Sequence, residues 1–317
     1  MFSLVQKRRR FYLFSAAIII PGILIMLYSL ATTGSLFRLS NEFVGGSQYE
    51  LRFTAPGANE ANIGDVFQAN GNTDISVQRL GDAAENRWSV RANFQDQPTQ
   101  QAIVTGLDAL APLDRDSLRI EQVSATVGRE VTQAAFFAVA IAALVVTGFI
   151  VLAFRQVPNA IRYGVCAILA MIHDVLVVAG VMSVTGLLFG WEVDALFLTA
   201  VLMVVAFSVQ DTIVLFDRIR ENIPKHLGEP FEIIVNRSVL ETLHRSLGTQ
   251  LNVFFIMMAI LFFGGESIKQ FIALLFMGLL AGTYSSLFIA VPLLVSWEKG
   301  EIPFINRRHV VLQPSEA

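Results

Sequence analysis

The chain has 317 residues, of which 54% are hydrophobic and only 15% charged, with a formal net charge of −3. A soluble domain ordinarily carries about a quarter charged residues, so the composition excludes an ordinary water-soluble protein and implies a multi-pass membrane protein. The one cysteine, Cys166, has no mate for an internal disulfide, and the four histidines (173, 226, 244 and 309) are scattered, so no Cys/His metal cluster is expected.

A membrane span needs roughly 20 mostly apolar residues to cross about 30 Å of hydrocarbon. Six windows qualify, at 11–31, 133–154, 161–187, 195–216, 245–264 and 269–296. The first follows KRRR at 7–10 and carries Pro21 in its middle, where a kink is expected. Its apolar run exceeds the usual core of a signal peptide, which favours an uncleaved anchor. With the N-terminus inside, Lys7–Arg10, Arg155, Arg162, Arg218, Arg220, Lys225, Arg237, Lys299, Arg307 and Arg308 all fall on the cytoplasmic side, as the positive-inside tendency requires. Residues 32–130 contain no lysine and hold 8 Arg against 13 Asp plus Glu, a net of −5. This asymmetry predicts six spans, both termini inside, and one acidic extracytoplasmic domain. The expected division is 1–31 (N-terminal segment and first span), 32–130 (outer domain), 131–298 (five-span bundle) and 299–317 (cytoplasmic tail).

Within 32–130, alternation in QYELRF, DISVQRL, RWSVRANF and LRIEQV marks four strands. Helical spacing over 57–69 and 97–110, with Asp96 or Thr99 as cap, completes a βαββαβ order, the split pattern of ferredoxin-like folds. No paired histidines or phosphate-cradling glycine loop occur here, so the domain reads as a binding or mechanical module. The fold class expected is an all-α six-span bundle with an inserted α+β ferredoxin-like domain.

Polar residues inside the spans carry the functional signal, because a charge near the bilayer centre costs about 2.5–3.5 kcal/mol on insertion scales. Asp211 lies in the fourth window, and Ser208, Asp211, Thr212 and Leu215 share one helical face. It is either a functional buried carboxylate or one near the interface, since Asp217 lies six residues on. His173 and Asp174 fall near mid-membrane in the third window. They are either a proton-handling pair or a packing hydrogen bond. The apolar run 251–264 spans only about 21 Å, so its helix must recruit upstream residues and bring in Arg245. Arg245, Gly248, Thr249 and Asn252 form one small, polar face, unless Arg245 snorkels to the headgroups. The segment 229–244 is either an amphipathic helix in the membrane surface or an ordinary connector. In the last window Gly278, Gly282, Ser286 and Ala290 make a small-residue ridge for close helix packing. A carboxylate near a guanidinium stays charged and one left alone takes up a proton, so these residues suit a proton-coupled two-state bundle.

The sequence also resembles the SecF family, subunits of the bacterial SecDF complex of the protein translocase. EFVGG at 42–46, HDVLVVAG at 173–180, FSVQDTIVLFDRIREN at 207–222, ETLHRSLGT at 241–249 and FGG at 263–265 carry the resemblance, with Phe43, Gly45, Gly46, Asp217 and Arg218 as motif positions. It departs from the family pattern at Glu42, where Asp is usual, at Ala206 and Phe207, and at Gln210, where Asn is usual. The resemblance implies a transporter-like (RND) membrane fold and use of the proton-motive force to help secreted polypeptides leave the translocon. It implies Asp211 and Arg245 as proton-coupling residues. It also implies SecD, SecYEG, and YajC and YidC-type insertases as partners, with unfolded polypeptides and lipids as contacts in the bacterial plasma membrane. No cofactor, catalytic residue or nucleic-acid partner is expected. Three other readings compete. A small-molecule exporter would need larger outer domains than 32–130 provides. A purely structural subunit would tolerate neutral isosteres at Asp211. A membrane hydrolase lacks a plausible nucleophile and base.

Overall fold

The computed structural model describes residues 5–73, 75–154 and 160–301. Arg155, Arg307, Arg308, His309 and the start of the second expected strand at Asp74 lie outside them. Among the described residues, six helices are long and apolar enough to cross a membrane: Val5–Thr33, Ala125–Ala153, Ala160–Phe189, Ala195–Lys225, Phe231–Phe263 and Ile268–Glu298. The elements in chain order begin with α1 (Arg8–Thr33), α2 (Asn41–Val44), β1 (Gly46–Arg52), α3 (Glu60–Ala69), β2 (Ser76–Leu80) and β3 (Arg87–Ala92). They continue with α4 (Gln97–Leu110), β4 (Arg119–Val123), α5 (Ala125–Ala153), α6 (Ala160–Phe189), α7 (Ala195–Lys225) and α8 (Phe231–Phe263). The last crossing is α9 (Glu266–Ser285), a π turn (Ser286–Ala290) and α10 (Val291–Glu298).

The helices outrun the apolar windows at nine of their twelve ends. Hydrocarbon selects the apolar residues, but the backbone ladder continues until a breaker or cap stops it. Helix α1 runs through Pro21 and ends at Gly34, whose φ of 76° is the left-handed C-terminal stop that glycine tolerates best. The segment 229–244 is not a separate surface helix. Pro230 sits at the N-cap of α8, where its missing N–H costs nothing, and no proline interrupts the chain before Phe263. The in-plane reading therefore gives way to a single 33-residue helix.

The chain divides into two compact units, one of residues 39–138 with 192–195 and the other of the remaining helical segments. In the first, the strands form an antiparallel sheet in the order β2-β3-β1-β4, the ferredoxin-like arrangement expected from the strand and helix order. Alternation places Tyr49, Leu51, Trp88 and Val90 on the face that α3 and α4 cover with Ile63, Phe67, Ile103 and Leu107, all buried. The opposite face carries Gln48, Glu50, Ser89 and Arg91, paired in register across β1 and β3. Asn59 and Asn62 exchange side-chain and backbone hydrogen bonds to open α3. Asp96 is the cap of α4, accepting from the Thr99 N–H at 3.1 Å.

The EFVGG segment has a structural role in this unit. Gly45 and Gly46 adopt φ of 82° and 138°, and a Cβ on Gly45 would lie 2.8 Å from the Cα of Ala125. A Cβ on Gly128 would lie 2.8 Å from the Phe43 carbonyl oxygen, so the start of α5 is seated directly on this turn. Phe43 is buried, and Glu42 accepts the Ala195 N–H at 2.7 Å within the same unit.

In the helical unit, α6 is the central element, packing on α1, α9, the π turn and α10. Backbones approach closely where side chains vanish. A Cβ on Gly22 of α1 would lie 3.0 Å from the Cα of Gly180 on α6. One core runs through the bundle, from Phe154, Tyr163 and Phe216, whose rings stack or meet edge-on, to Val291 and Leu294.

Asp108 accepts the Leu113 N–H at 3.0 Å and pairs with Arg115 at 2.9 Å, and these bonds, the backbone one first, hold its carboxyl below the usual range. Because the folded value is depressed, this contribution to stability is present above the unfolded value near 4 and is lost as pH falls through the folded one. Amide exchange at Leu113 should therefore accelerate at acid pH beyond its intrinsic rate, and the acceleration should vanish in Asp108→Asn.

Candidate functional site

Two polar centres lie inside the helical unit, both touching α7. The first surrounds Asp174 on α6, which is fully buried. Its Oδ2 accepts the Ser208 hydroxyl of α7 at 2.5 Å and the Ser285 hydroxyl of α9 at 2.7 Å. Its Oδ1 lies 2.9 Å from Nδ1 of His173. The other ring nitrogen of His173 lies 3.0 Å from the Ser15 hydroxyl of α1. With Nδ1–H donating to Asp174, Nε2 accepts from Ser15 when the ring is neutral and donates when it is charged. The imidazole also stacks near the ring of Tyr284, centroids 6.0 Å apart, and the Tyr284 hydroxyl donates to the Phe11 carbonyl at 2.8 Å. Four helices thus meet on one carboxylate and its histidine.

Although adjacent residues point about 100° apart and cannot share a third partner squarely, His173 and Asp174 are each other's partners. The π turn begins immediately after Ser285, the residue that bonds Asp174, and π turns inside α-helices gather at functional positions.

The second centre is Asp211, half-buried on α7 one turn past Ser208. Its Oδ2 accepts from the side-chain amide Nε2 of Gln250 on α8. Ser208, Thr212 and Leu215 are buried on the same face, and the Thr212 hydroxyl turns back to the Ser208 carbonyl at 2.9 Å. The sequence pattern identified this face of α7 correctly. The partner face on α8 is a different matter.

Arg245, Gly248, Thr249 and Asn252 are all exposed on the described chain, and Arg245 forms no ion pair with Asp211. The buried polar stripe of α8 is instead Thr242, Ser246 and Gln250, at four-residue spacing. Two polar stripes therefore run along one helix, and the one holding the guanidinium faces away from the core. Gln210, beside Asp211, is exposed as well.

Beyond Asp211, the DRIREN segment joins α7 to α8 a second time. Arg218 pairs with Glu241 at 2.6 Å and with Glu221 at 2.8 Å, and Asn222 donates to Ser238 at 3.0 Å and to Glu241 at 2.8 Å. Asp217 pairs along its own helix with Arg220 at 2.6 Å. Elsewhere in the helical unit, Arg8 bridges Glu232 at 3.2 Å and Glu301 at 2.5 Å, Lys299 also pairs with Glu232, and Arg162 pairs with Glu298 at 2.6 Å. Glu301 is held below its usual carboxylate range by the Arg8 guanidinium.

The ridge on the last crossing closes the bundle around Asp174. A Cβ on Gly282 would lie 3.2 Å from the Cβ of Ser208 and 3.7 Å from Oδ2 of Asp174. A Cβ on Gly278 would overlap the Val204 methyls, and Ser286 is buried one turn further on. Among the described residues no group of three His, Cys, Asp or Glu could hold a metal ion.

Residues 104–300 match the family described as protein export membrane protein SecD/SecF, C-terminal. The chain is 45% identical to the protein translocase subunit SecF of Anaerolinea thermophila over 306 residues, covering 95% of this chain and 96% of that relative. It is 42% identical to the SecF subunit of Thermobaculum terrenum, covering 97% and 98%. Among solved structures it is similar to SecDF, a translocon-associated membrane protein from Thermus thermophilus, with a TM-score of 0.74 and 28% identity. That match takes in 94% of this chain but 39% of the SecDF chain. The chain therefore belongs to the SecF family of protein translocase subunits.

Adding a methyl group at Gly278 forces the Val204 contact apart, and overpacking of this kind costs about 1–3 kcal/mol. Gly148 on α5 has open space around its missing Cβ, so Gly148→Ala should be neutral or stabilising by a fraction of a kcal/mol. Thermal unfolding in detergent should show Gly278→Ala melting below the parent and Gly148→Ala at or above it.

Proposed function

We propose that this chain works as the SecF subunit of a bacterial protein translocase, drawing on the proton-motive force together with SecD to promote export of secreted polypeptides through SecYEG. It is a translocase subunit and catalyses no covalent reaction. The observation that carries the reading is Asp211, a carboxylate inside a membrane-crossing helix, held by one neutral amide from the neighbouring helix. A carboxylate so placed has no fixed counter-charge within the described chain, so gain and loss of a proton changes its interactions more than at any fully paired position. A membrane potential supplies about 2.3 kcal/mol per elementary charge per 100 mV, enough to bias a two-state bundle.

Asp174 contrasts with it. Its oxygens already take two hydroxyls and an imidazole, so it holds α1, α6, α7 and α9 together. His173 and Asp174 form the second place where a proton can be held, relayed between Ser15 and the carboxylate.

The exposed polar face of Arg245, Thr249 and Asn252 is unsuited to lipid and supports SecD as the neighbour that covers it, bringing Arg245 into the proton-coupling set. Membership of the SecF family and the similarity to the solved SecDF support the same partner. SecYEG, and YajC and YidC-type insertases, complete the expected assembly. The chain lies in the bacterial plasma membrane with both termini cytoplasmic and residues 32–130 extracytoplasmic, where the ferredoxin-like module meets emerging polypeptide. The cluster of Arg8, Arg162, Arg218 and Lys299 toward one set of helix ends supports that orientation.

Asp211→Asn removes the titration while keeping the shape. In cells that depend on this protein, with the membrane potential intact, export of a slow-secreting substrate should fall to the level of the deletion strain while the SecD complex still assembles. Export at the parental rate would instead leave Asp211 as a packing residue in a scaffold.

A further inference from the structure

We infer that Gln250 is the positioning residue for proton exchange at Asp211, a hydrogen-bond adaptor whose side-chain amide rotates to serve both protonation states of the carboxyl. The inference rests on the proton-carrying role proposed for Asp211 and assigns the group that makes that role compatible with a buried site.

Gln250 is 4% exposed, on the buried stripe of α8. Its Nε2 donates to Oδ2 of Asp211, which is the arrangement a charged carboxylate requires. Its Oε1 is buried and has no hydrogen-bond partner among the described residues. Buried polar atoms are nearly always paired, so an orphaned carbonyl beside a titratable carboxylate calls for a donor. The carboxyl becomes that donor when it takes a proton.

The exchange balances as follows. A proton from the aqueous phase adds to an Asp211 oxygen, giving a neutral acid with one O–H donor. An Nε2–H still facing that hydroxyl would present donor to donor. Rotation of the amide by about 180° about its terminal bond, a soft sp³–sp² torsion, brings Oε1 to accept the new O–H. Loss of the proton to the other aqueous phase reverses both changes. The link between α7 and α8 thus survives in either state, with its polarity inverted.

The surroundings favour this one residue. The ionisable groups on neighbouring helices are His173 and Asp174 on α6, which are committed to each other and to Ser15, Ser208 and Ser285, and His244 and Arg245 on α8, which are exposed. Arg218 and Glu241 lie further along the pair and are bonded together. Gln210, the amide next to Asp211 in sequence, is exposed and bonds to neither oxygen in the described structure. A leucine or methionine at 250 would have filled the space, but only an amide offers donor and acceptor from one shape.

The test uses the full complex in proteoliposomes and the pH profile of proton-driven export. Gln250→Met keeps the volume and removes both functions, and export should fall about fivefold or more at the optimum, with the pH profile displaced and the complex assembled. Infrared difference spectra between acid and alkaline states, with isotope-labelled glutamine, should show a side-chain amide change that tracks the carboxyl band of Asp211. Both signals should be absent in Asp211→Asn, a comparison that needs no variant at 250. If Asp211→Asn abolishes export but Gln250→Met keeps the parental pH profile, or the amide band stays still while the carboxyl titrates, the adaptor is overturned and the Asp211 reading stands. If Asp211→Asn exports normally, the carrier reading itself falls.

Discussion

A carboxylate cannot sit among membrane helices without partners, because no water is there to solvate it and each unsatisfied polar group costs several kcal/mol. The helical unit meets that constraint twice, in opposite ways. Asp174 is enclosed by two serine hydroxyls and an imidazole drawn from three other positions in the bundle. Asp211 receives a single amide and remains half-buried. The first arrangement gives the carboxyl group three bonded neighbours and so ties helices together. The second leaves the carboxylate with one neutral partner, on the neighbouring helix.

The enclosure of Asp174 depends on absent side chains as much as on present ones. Ser208 and Ser285 reach the carboxylate because Gly282 lets the last crossing approach α7 to the distance of ordinary backbone contact. Any side chain at 282 would sit between Ser208 and the backbone it packs on, and the hydroxyl geometry would open. Small residues in membrane helices are usually explained by van der Waals packing alone. Here the same residues set the lengths of hydrogen bonds to a buried carboxyl group, so packing and hydrogen bonding are one constraint.

Much of this was legible in the residues. Alternation gave the four strands within a residue or two, and apolar length gave all six crossings, because both signals are dictated by what water and lipid each exclude. The face of α7 with Ser208, Asp211 and Thr212 was readable from three- and four-residue spacing. Two things were not. Helix ends were drawn too short, since apolar windows stop at the first polar residues while backbone hydrogen bonds do not, and 229–244 was thereby parted from the helix it begins. The α8 residue that bonds Asp211 was not singled out, because charge is conspicuous and a neutral amide is not. Thr242, Ser246 and Gln250 recur every four residues as clearly as the Arg245 face does. Spacing alone gives two polar stripes on one helix and no rule for which turns inward.

The pairings between α7 and α8 share one register. Asp211 meets Gln250, Arg218 meets Glu241, and Asn222 meets Ser238, so one helix counts up as the other counts down. The second and third contacts form a clasp of ion pair and amide that is charged and fully partnered. Asp211 lies seven residues from Arg218, about 10 Å along the helix, within the same antiparallel pair. A change in the bond at Asp211 therefore cannot slide α7 along α8 without breaking the clasp. The DRIREN segment is thus the more fully bonded end of the α7–α8 contact, two turns from Asp211.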